Sequence, residues 1–153
     1  MAKTPQIAQV IEVAPEDTGR TYAALCVLRE GRPVMSSVES FTQWVNQQQR
    51  SEGYRLVATF LPGTPDAVAA AGFRILHQLS KGRFLYVDDL VTLPQHRSCG
   101  YADLIFAWLL EEARRLGCAQ LHLDSGHQRY EAHRFYLKHG MIMNAHHFSM
   151  VVD

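Results

Sequence analysis

Along the first third of the chain the apolar positions change period twice. Residues 6–13 (QIAQVIEV) are rich in β-branched side chains and sit between Pro5 and Pro15, which predicts a strand. Residues 16–29 then open with Glu16 and Asp17, acidic residues suited to a first helical turn. Residues 37–50 place Val38, Phe41, Trp44 and Val45 at helical spacing behind Ser36 or Ser37 as a cap. Two helices are therefore expected, with Gly31-Arg32-Pro33 as the break between them. From Tyr54 to Leu93 the texture becomes strand-like in three runs, 54–61, 67–79 and 83–93, separated by Pro62-Gly63 and by Ser80-Lys81-Gly82. Connections this short predict an antiparallel meander.

Pro94 cannot continue a ladder and ends the third run. A polar loop then leads into residues 102–116, where Ile105, Leu109, Ala113 and Leu116 recur at helical spacing, Glu111 is placed to pair with Arg115 at i,i+4, and Gly117 stops the helix. Residues 118–124 alternate Leu121 and Leu123 with polar neighbours as a strand, 129–139 form a short helix closed by Gly140, and 146–152 read as a last strand. A meander followed by a strand–helix–strand crossover predicts an α/β fold of the α+β kind: one mixed, mostly antiparallel sheet with helices on both faces, as a single domain over residues 1–153. Phe41, Trp44 and Trp108 are expected in its core.

Composition narrows the partners. The 153 residues are 47% hydrophobic and 20% charged, enough for one domain with a sizeable core. With 15 Lys+Arg against 15 Asp+Glu, the chain lacks the one-sided field that grips nucleic-acid backbones or anionic membranes. No apolar run approaches the roughly 18 residues of a membrane span, and the first twenty residues lack a secretory pattern, so a cytoplasmic location is expected. Cys26, Cys99 and Cys118 are an odd number at wide spacing, which predicts reduced thiols rather than a disulfide framework. His122, His127, His133, His139, His146 and His147 form neither HExxH nor a Cys/His set, and no metal site is expected.

The segment from Pro94 to Ala102 is the first candidate for chemistry. Its small residues precede a helix, so backbone N–H groups and the positive end of the helix dipole meet there, an arrangement suited to an anion such as a pyrophosphate. Gly100 permits close backbone approach, and Ala102 keeps the first turn uncrowded. Upstream, Asp88 and Asp89 are the candidate acids; neighbours on a strand point to opposite faces, so the two share a face only across a bulge.

Arg97-Ser98-Cys99-Gly100-Tyr101-Ala102 resembles the R/Q-x-x-G-x-G/A loop of the GNAT superfamily of N-acetyltransferases. Residues 85–97 (LYVDDLVTLPQHR) resemble its acidic fourth strand with a V-x-P-x-x-R-like end, and residues 129–141 (RYEAHRFYLKHGM) resemble its N-x-x-A-x-x-F-Y-x-x-x-G-F-like helix. The resemblance is clear over residues 54–141 and implies acetyl-coenzyme A as co-substrate and an amine of a small molecule or peptide as acceptor, with a homodimer allowed. It implies a pyrophosphate on Arg97, Ser98, Cys99, Gly100, Tyr101 and Ala102, and a pantetheine arm on the backbone of Leu90, Val91 and Thr92. The acidic pair also looks like that of diamine and polyamine acetyltransferases, a match that makes Asp88 the base and Asp89 the substrate anchor. Tyr136 resembles the tyrosine that protonates the leaving thiolate. Three positions depart from the pattern. Ser98 stands for a glycine, an exchange carried if its backbone is not left-handed; Arg129 stands for a cofactor-contacting asparagine and could reach a nucleotide phosphate; Met141 stands for phenylalanine. A non-catalytic acyl-coenzyme A-binding or sensing module is the alternative, separated from the enzyme by Asp88 and Tyr136, which only catalysis needs.

Overall fold

A computed structural model describes residues 7–153. Residue 6, where the first expected strand begins, lies outside the described residues, as do the first residues read for a targeting signal. β1 (Gln9–Glu12) is shorter than expected and pairs antiparallel with β2 (Arg55–Phe60). The helix expected at 16–29 starts late: Pro15–Thr21 is a 3-10 helix, and α1 runs over Tyr22–Leu28. Thr18, Gly19 and Thr21 are poor α-helix formers, and the Thr21 hydroxyl turns back to donate to the Thr18 carbonyl at 2.8 Å. α2 (Val38–Trp44) starts where Ser37 Oγ accepts the Ser40 N–H at 3.0 Å, then loosens into a π turn over Val45–Gln49 and a 3-10 turn over Arg50–Glu52.

β3 (Ala69–Gln78) and β4 (Gly82–Thr92) complete the antiparallel meander. α3 (Tyr101–Arg115) crosses over, and β5 (Gln120–Leu123) joins at the edge, so the sheet order is β1-β2-β3-β4-β5. Alternation along β2 sorts the two layers. Leu56, Ala58 and Phe60 join Leu25, Met35 and Phe41 in one buried cluster with α1 and α2. Arg55 turns the other way to meet Glu112 of α3, and on that layer Phe73 packs edge-on against Trp108 with ring centroids 5.7 Å apart. Trp44 departs from its expected place in the core. The buried positions of α2 and its extension are Phe41 and Val45, and the indole beside that stripe is 45% exposed.

By its internal contacts the chain divides into a unit ending at His122 and a second unit, Leu123–Asp153. Within the second, α4 (Tyr130–Lys138) follows a turn in which a His133 ring nitrogen meets the Gly126 carbonyl at 2.8 Å. It closes on Gly140, at φ 84°, with the Met141 N–H donating to the Tyr136 carbonyl at 3.1 Å. The strand expected at 146–152 is not formed: residues 141–153 carry no helix or strand, and Phe148 and Met150 are 89% and 88% exposed. Apolar residues favour a strand only where a ladder receives them, and this segment has none. No helix among the described residues is long and apolar enough to cross a membrane.

One ion network ties α3 to the sheet, and it differs from the expected pairing. Arg115 pairs with Glu112 through bonds of 2.8 and 2.6 Å, while Glu111 is taken by Arg114 at 3.3 Å. Glu112 is the buried carboxylate on the sheet-facing side, and Arg55 reaches it from β2 at 2.7 Å while also holding Glu12 of β1 at 2.7 and 2.8 Å. Two guanidiniums therefore converge on Glu112 and leave Glu111 to solvent. The Arg115 hydrogen bonds, followed by those of Arg55, outweigh burial and hold the Glu112 carboxyl down at about 2, against an ordinary 4.5. A carboxyl depressed in the folded state contributes stability above its unfolded value and loses it as pH falls through the folded one. Thermal unfolding across pH should therefore show Glu112→Gln well below the native chain at pH 6–7, with the gap closing as pH falls from about 4.5 toward 2. A gap independent of pH would remove Glu112 from the acid response.

Candidate active site

The β3–β4 register breaks once. Gly72 faces Asp89 and Phe73 faces Val87, so Asp88 is the extra residue of a bulge. The bulge lets both carboxylates reach partners on the α1 layer. Asp88 accepts from Arg74 Nε at 2.8 Å and Nη2 at 2.7 Å. Asp89 accepts from Arg29 Nε on Oδ1 at 2.8 Å and from the Tyr54 hydroxyl on Oδ2 at 2.8 Å. Arg29, at the C-terminal end of α1, also donates to the Asp88 carbonyl at 2.8 Å and so satisfies a backbone oxygen at the bulge. Tyr54 reaches Asp89 across Gly72, where a Cβ would fall inside the tyrosine ring. Burial first, then the Asp89 charge, pushes the Tyr54 phenol well above its ordinary value, so it stays protonated and remains the donor.

Asp89 and Tyr54 line a cleft of about 160 Å³ between the α1–α2 region and β4. Its charged groups are Arg29, Arg32 and Asp89, and its apolar wall includes Leu25, Met35, Phe41 and the exposed face of Trp44. Asp88 is not part of this lining. A second concavity, an open depression along α2, offers only Glu39 as a charged group in its lining.

Beyond the bulge, β4 outruns its neighbour. β5 has 4 residues against 11 in β4, and the Ala119 N–H on the Arg83 carbonyl at 3.0 Å anchors it near the start of β4. Leu90, Val91 and Thr92 therefore keep a backbone edge that β5 does not reach.

The chain next makes a 3-10 turn at Pro94–His96, and Arg97 Nε points back to the Thr92 carbonyl at 3.4 Å. Ser98 and Gly100 follow with φ of 59° and 82°. The N–H groups of Ser98, Cys99, Gly100, Tyr101 and Ala102 have no acceptor among the described residues, and they gather at the N-terminus of α3. Such a run of donors at the positive end of a helix is a cradle for an anion. A side chain at Gly100 would meet nothing within 4 Å, so the cradle opens outward and fits a pyrophosphate. Ser98 corrects the sequence reading: its backbone is left-handed after all, so the serine carries a conformational cost that a glycine would not. Cys99 is exposed, its thiol directed at the Arg97 carbonyl at 3.4 Å.

Tyr136 and Arg129 belong to the second unit, on α4 and at its N-cap. Burial raises the Tyr136 phenol above its ordinary value and the Arg129 charge opposes it, so the hydroxyl keeps its proton near neutrality. Of the residues named from sequence, the acids, the Leu90–Thr92 edge and the 97–102 loop thus fall on one strand and the turn that follows it. Sequence reasoning missed Arg29, Arg74, Tyr54 and Arg32, which sit far along the chain from the groups they serve and carry no local signature. Gly72, inside a strand run, was a readable signal of a bulge or close approach.

Residues 15–141 match the model of the Acetyltransferase (GNAT) family. The chain is 33% identical over 113 residues to an uncharacterized N-acetyltransferase, YhdJ, of Bacillus subtilis, covering 70% of this chain and 78% of the relative. It is 26% identical over 136 residues to the aminoalkylphosphonate N-acetyltransferase of Salmonella typhimurium, covering 88% and 84%. Among solved structures, the aminoglycoside N-acetyltransferase AAC(6')-Iy in complex with CoA superposes with a TM-score of 0.81 at 12% identity, over 99% of both chains. Bulge, cradle and family match agree, and the chain belongs to the GNAT family of acetyltransferases.

Proposed function

We infer that this protein transfers an acetyl group from acetyl-coenzyme A to the primary amine of a small molecule. The observation that carries the reading is the run of partnerless amides from Ser98 to Ala102, set at the end of the strand that presents Asp89 to a cleft. Acetyl-coenzyme A supplies an activated acyl group and a thiolate leaving group. The loop amides and Arg97 hold its pyrophosphate, Arg129 takes a nucleotide phosphate, and the open edge at Leu90, Val91 and Thr92 orients the pantetheine arm and the carbonyl. An alkylammonium with a pKa near 10.4 must lose a proton before it attacks. Asp89, in the cleft, attracts and holds the ammonium. Asp88 has lone pairs left beyond its two bonds from Arg74 and takes the proton through water. Tyr136 keeps its proton until the thiolate departs and then delivers it. The small-molecule relatives support an amine acceptor, and three free cysteines suit a cytoplasmic setting.

Two experiments test this reading. Acetyl-coenzyme A should raise the melting temperature in proportion to the logarithm of its concentration. Ser98→Gly should raise the melting temperature of the free protein, by roughly 0.5–1 kcal/mol of relieved left-handed cost, and retain the ligand-induced rise. Absence of any rise in the unmodified chain would overturn the reading. In thiol-release assays with a primary amine that the native chain acetylates, Asp88→Asn should lower kcat, with the loss relieved at alkaline pH where more amine is neutral, and Asp89→Asn should chiefly raise the KM of the amine. The reverse split would assign proton transfer to Asp89. Tyr136→Phe in the same assay should keep acetyl-coenzyme A affinity and lower kcat, by up to about 100-fold, the lower end of general-acid assistance. Unchanged rates for Asp88→Asn and Tyr136→Phe together would remove both from the catalytic set, and binding of acetyl-coenzyme A with no thiol release in the native chain would point to a binding module instead.

A further inference from the structure

Only one member of the acidic pair that suggests a polycation in the sequence lines the cleft in the structure. Arg74 covers both oxygens of Asp88 through two hydrogen bonds, and Asp89, which accepts from Arg29 at 2.8 Å, is the single carboxylate of the lining. An acceptor ammonium held at Asp89 would therefore leave a second ammonium with no carboxylate in the cleft. What the cleft does hold unpaired is a cation. Arg32 lines it, its side chain has no hydrogen-bond or ion-pair partner among the described residues, and Glu30 is not part of the lining.

The root of Arg32 is fixed although its side chain is exposed. Its N–H donates to the Arg29 carbonyl at 3.3 Å, its carbonyl accepts the Met35 N–H at 2.9 Å, and it stands between Gly31, at φ 81°, and Pro33. The break between α1 and α2 thus aims one guanidinium at a cleft whose opposite charge is Asp89. Trp44, turned out of the core, adds an apolar face to the same lining. At about 160 Å³ the space is below the roughly 300–1,000 Å³ of drug-sized sites, which favours a small acceptor.

Resting on the acyl-transfer reading, we propose that the acceptor is zwitterionic: a small primary amine whose skeleton also carries an oxyanion, a carboxylate or a phosphonate. Arg32 binds the oxyanion, for which a planar guanidinium supplies a two-pronged donor. Asp89 holds the ammonium, and the connecting hydrocarbon lies against Trp44. Arg32 is on this assignment the residue that determines specificity, rejecting diamines by like charge.

The test is thiol release at saturating acetyl-coenzyme A with amino carboxylates, aminoalkylphosphonates, diamines and plain alkylamines of matched length, for the native chain, Arg32→Gln and Arg32→Glu. The native chain should prefer one of the two anionic series over the diamines by about tenfold or more in kcat/KM, the scale of a charge-assisted hydrogen-bonded pair, and the better series identifies the anion. Arg32→Gln should raise the KM for that anionic amine by a similar factor while the KM for acetyl-coenzyme A stays put, and Arg32→Glu should move the preference toward diamines. Diamines or plain amines preferred by the native chain, or an unchanged KM in Arg32→Gln, would overturn the proposal and leave acyl transfer standing. No thiol release with any amine, although acetyl-coenzyme A binds, would overturn both.

Discussion

The hydroxyl of Tyr54, delivered to Asp89 across a strand position with no side chain, is the contact on which the acceptor end of this molecule depends. Tyr54 enters from the turn before β2, passes over Gly72 on β3 and ends on β4. It spans three chain segments with one hydrogen bond to a charged group, an interaction worth roughly 1.5–3 kcal/mol and costly to leave unmade when buried. Arg29 closes the other side of the same carboxylate and also takes the Asp88 carbonyl at the bulge. The irregularity in β4 is thus held from both sides, and the orientation of both acids follows from it.

β4 organises the rest. Its central bulge presents the acids, its final residues offer an edge that β5 does not reach, and the turn beyond them becomes the amide cradle at α3. Strain and stability are separated along α3. The left-handed Ser98 and Gly100 and the partnerless amides lie at its N-terminal end, whereas the Glu12–Arg55–Glu112–Arg115 network fastens its C-terminal end to the sheet. A rigid frame at one end lets the functional end keep unsatisfied donors and backbone conformations that would otherwise relax.

Periodicity alone located the meander, the crossover helix α3 and the short helix α4, because each is fixed by local alternation or by a glycine stop. The failures have separate physical origins. The 3-10 segment before α1 reflects Gly19 and a Thr21 hydroxyl that bonds the Thr18 carbonyl, and the missing strand at 146–152 reflects a ladder that propensity cannot supply. Glu112 rather than Glu111 takes Arg115 because Arg55, 57 positions or more away, arrives at the same carboxylate. At the site, the motif residues 85–102 were legible because they are contiguous. Their partners were not, since Arg29 and Asp89 are 60 residues apart and Tyr54 and Asp89 are 35 apart, and only the folded sheet joins them.

The most direct measurement on the Tyr54–Asp89 clamp is the steady-state kinetics of Gly72→Ala beside those of Tyr54→Phe, with acetyl-coenzyme A affinity measured in parallel. A methyl group at Gly72 must push the tyrosine ring aside, and the phenylalanine deletes only the hydroxyl. Both variants should bind acetyl-coenzyme A as the native chain does and lose about tenfold or more in kcat/KM for the amine, as expected when a buried charged group loses its hydrogen bond. A folded Gly72→Ala protein with undiminished amine turnover would contradict the dependence of the acceptor site on this contact.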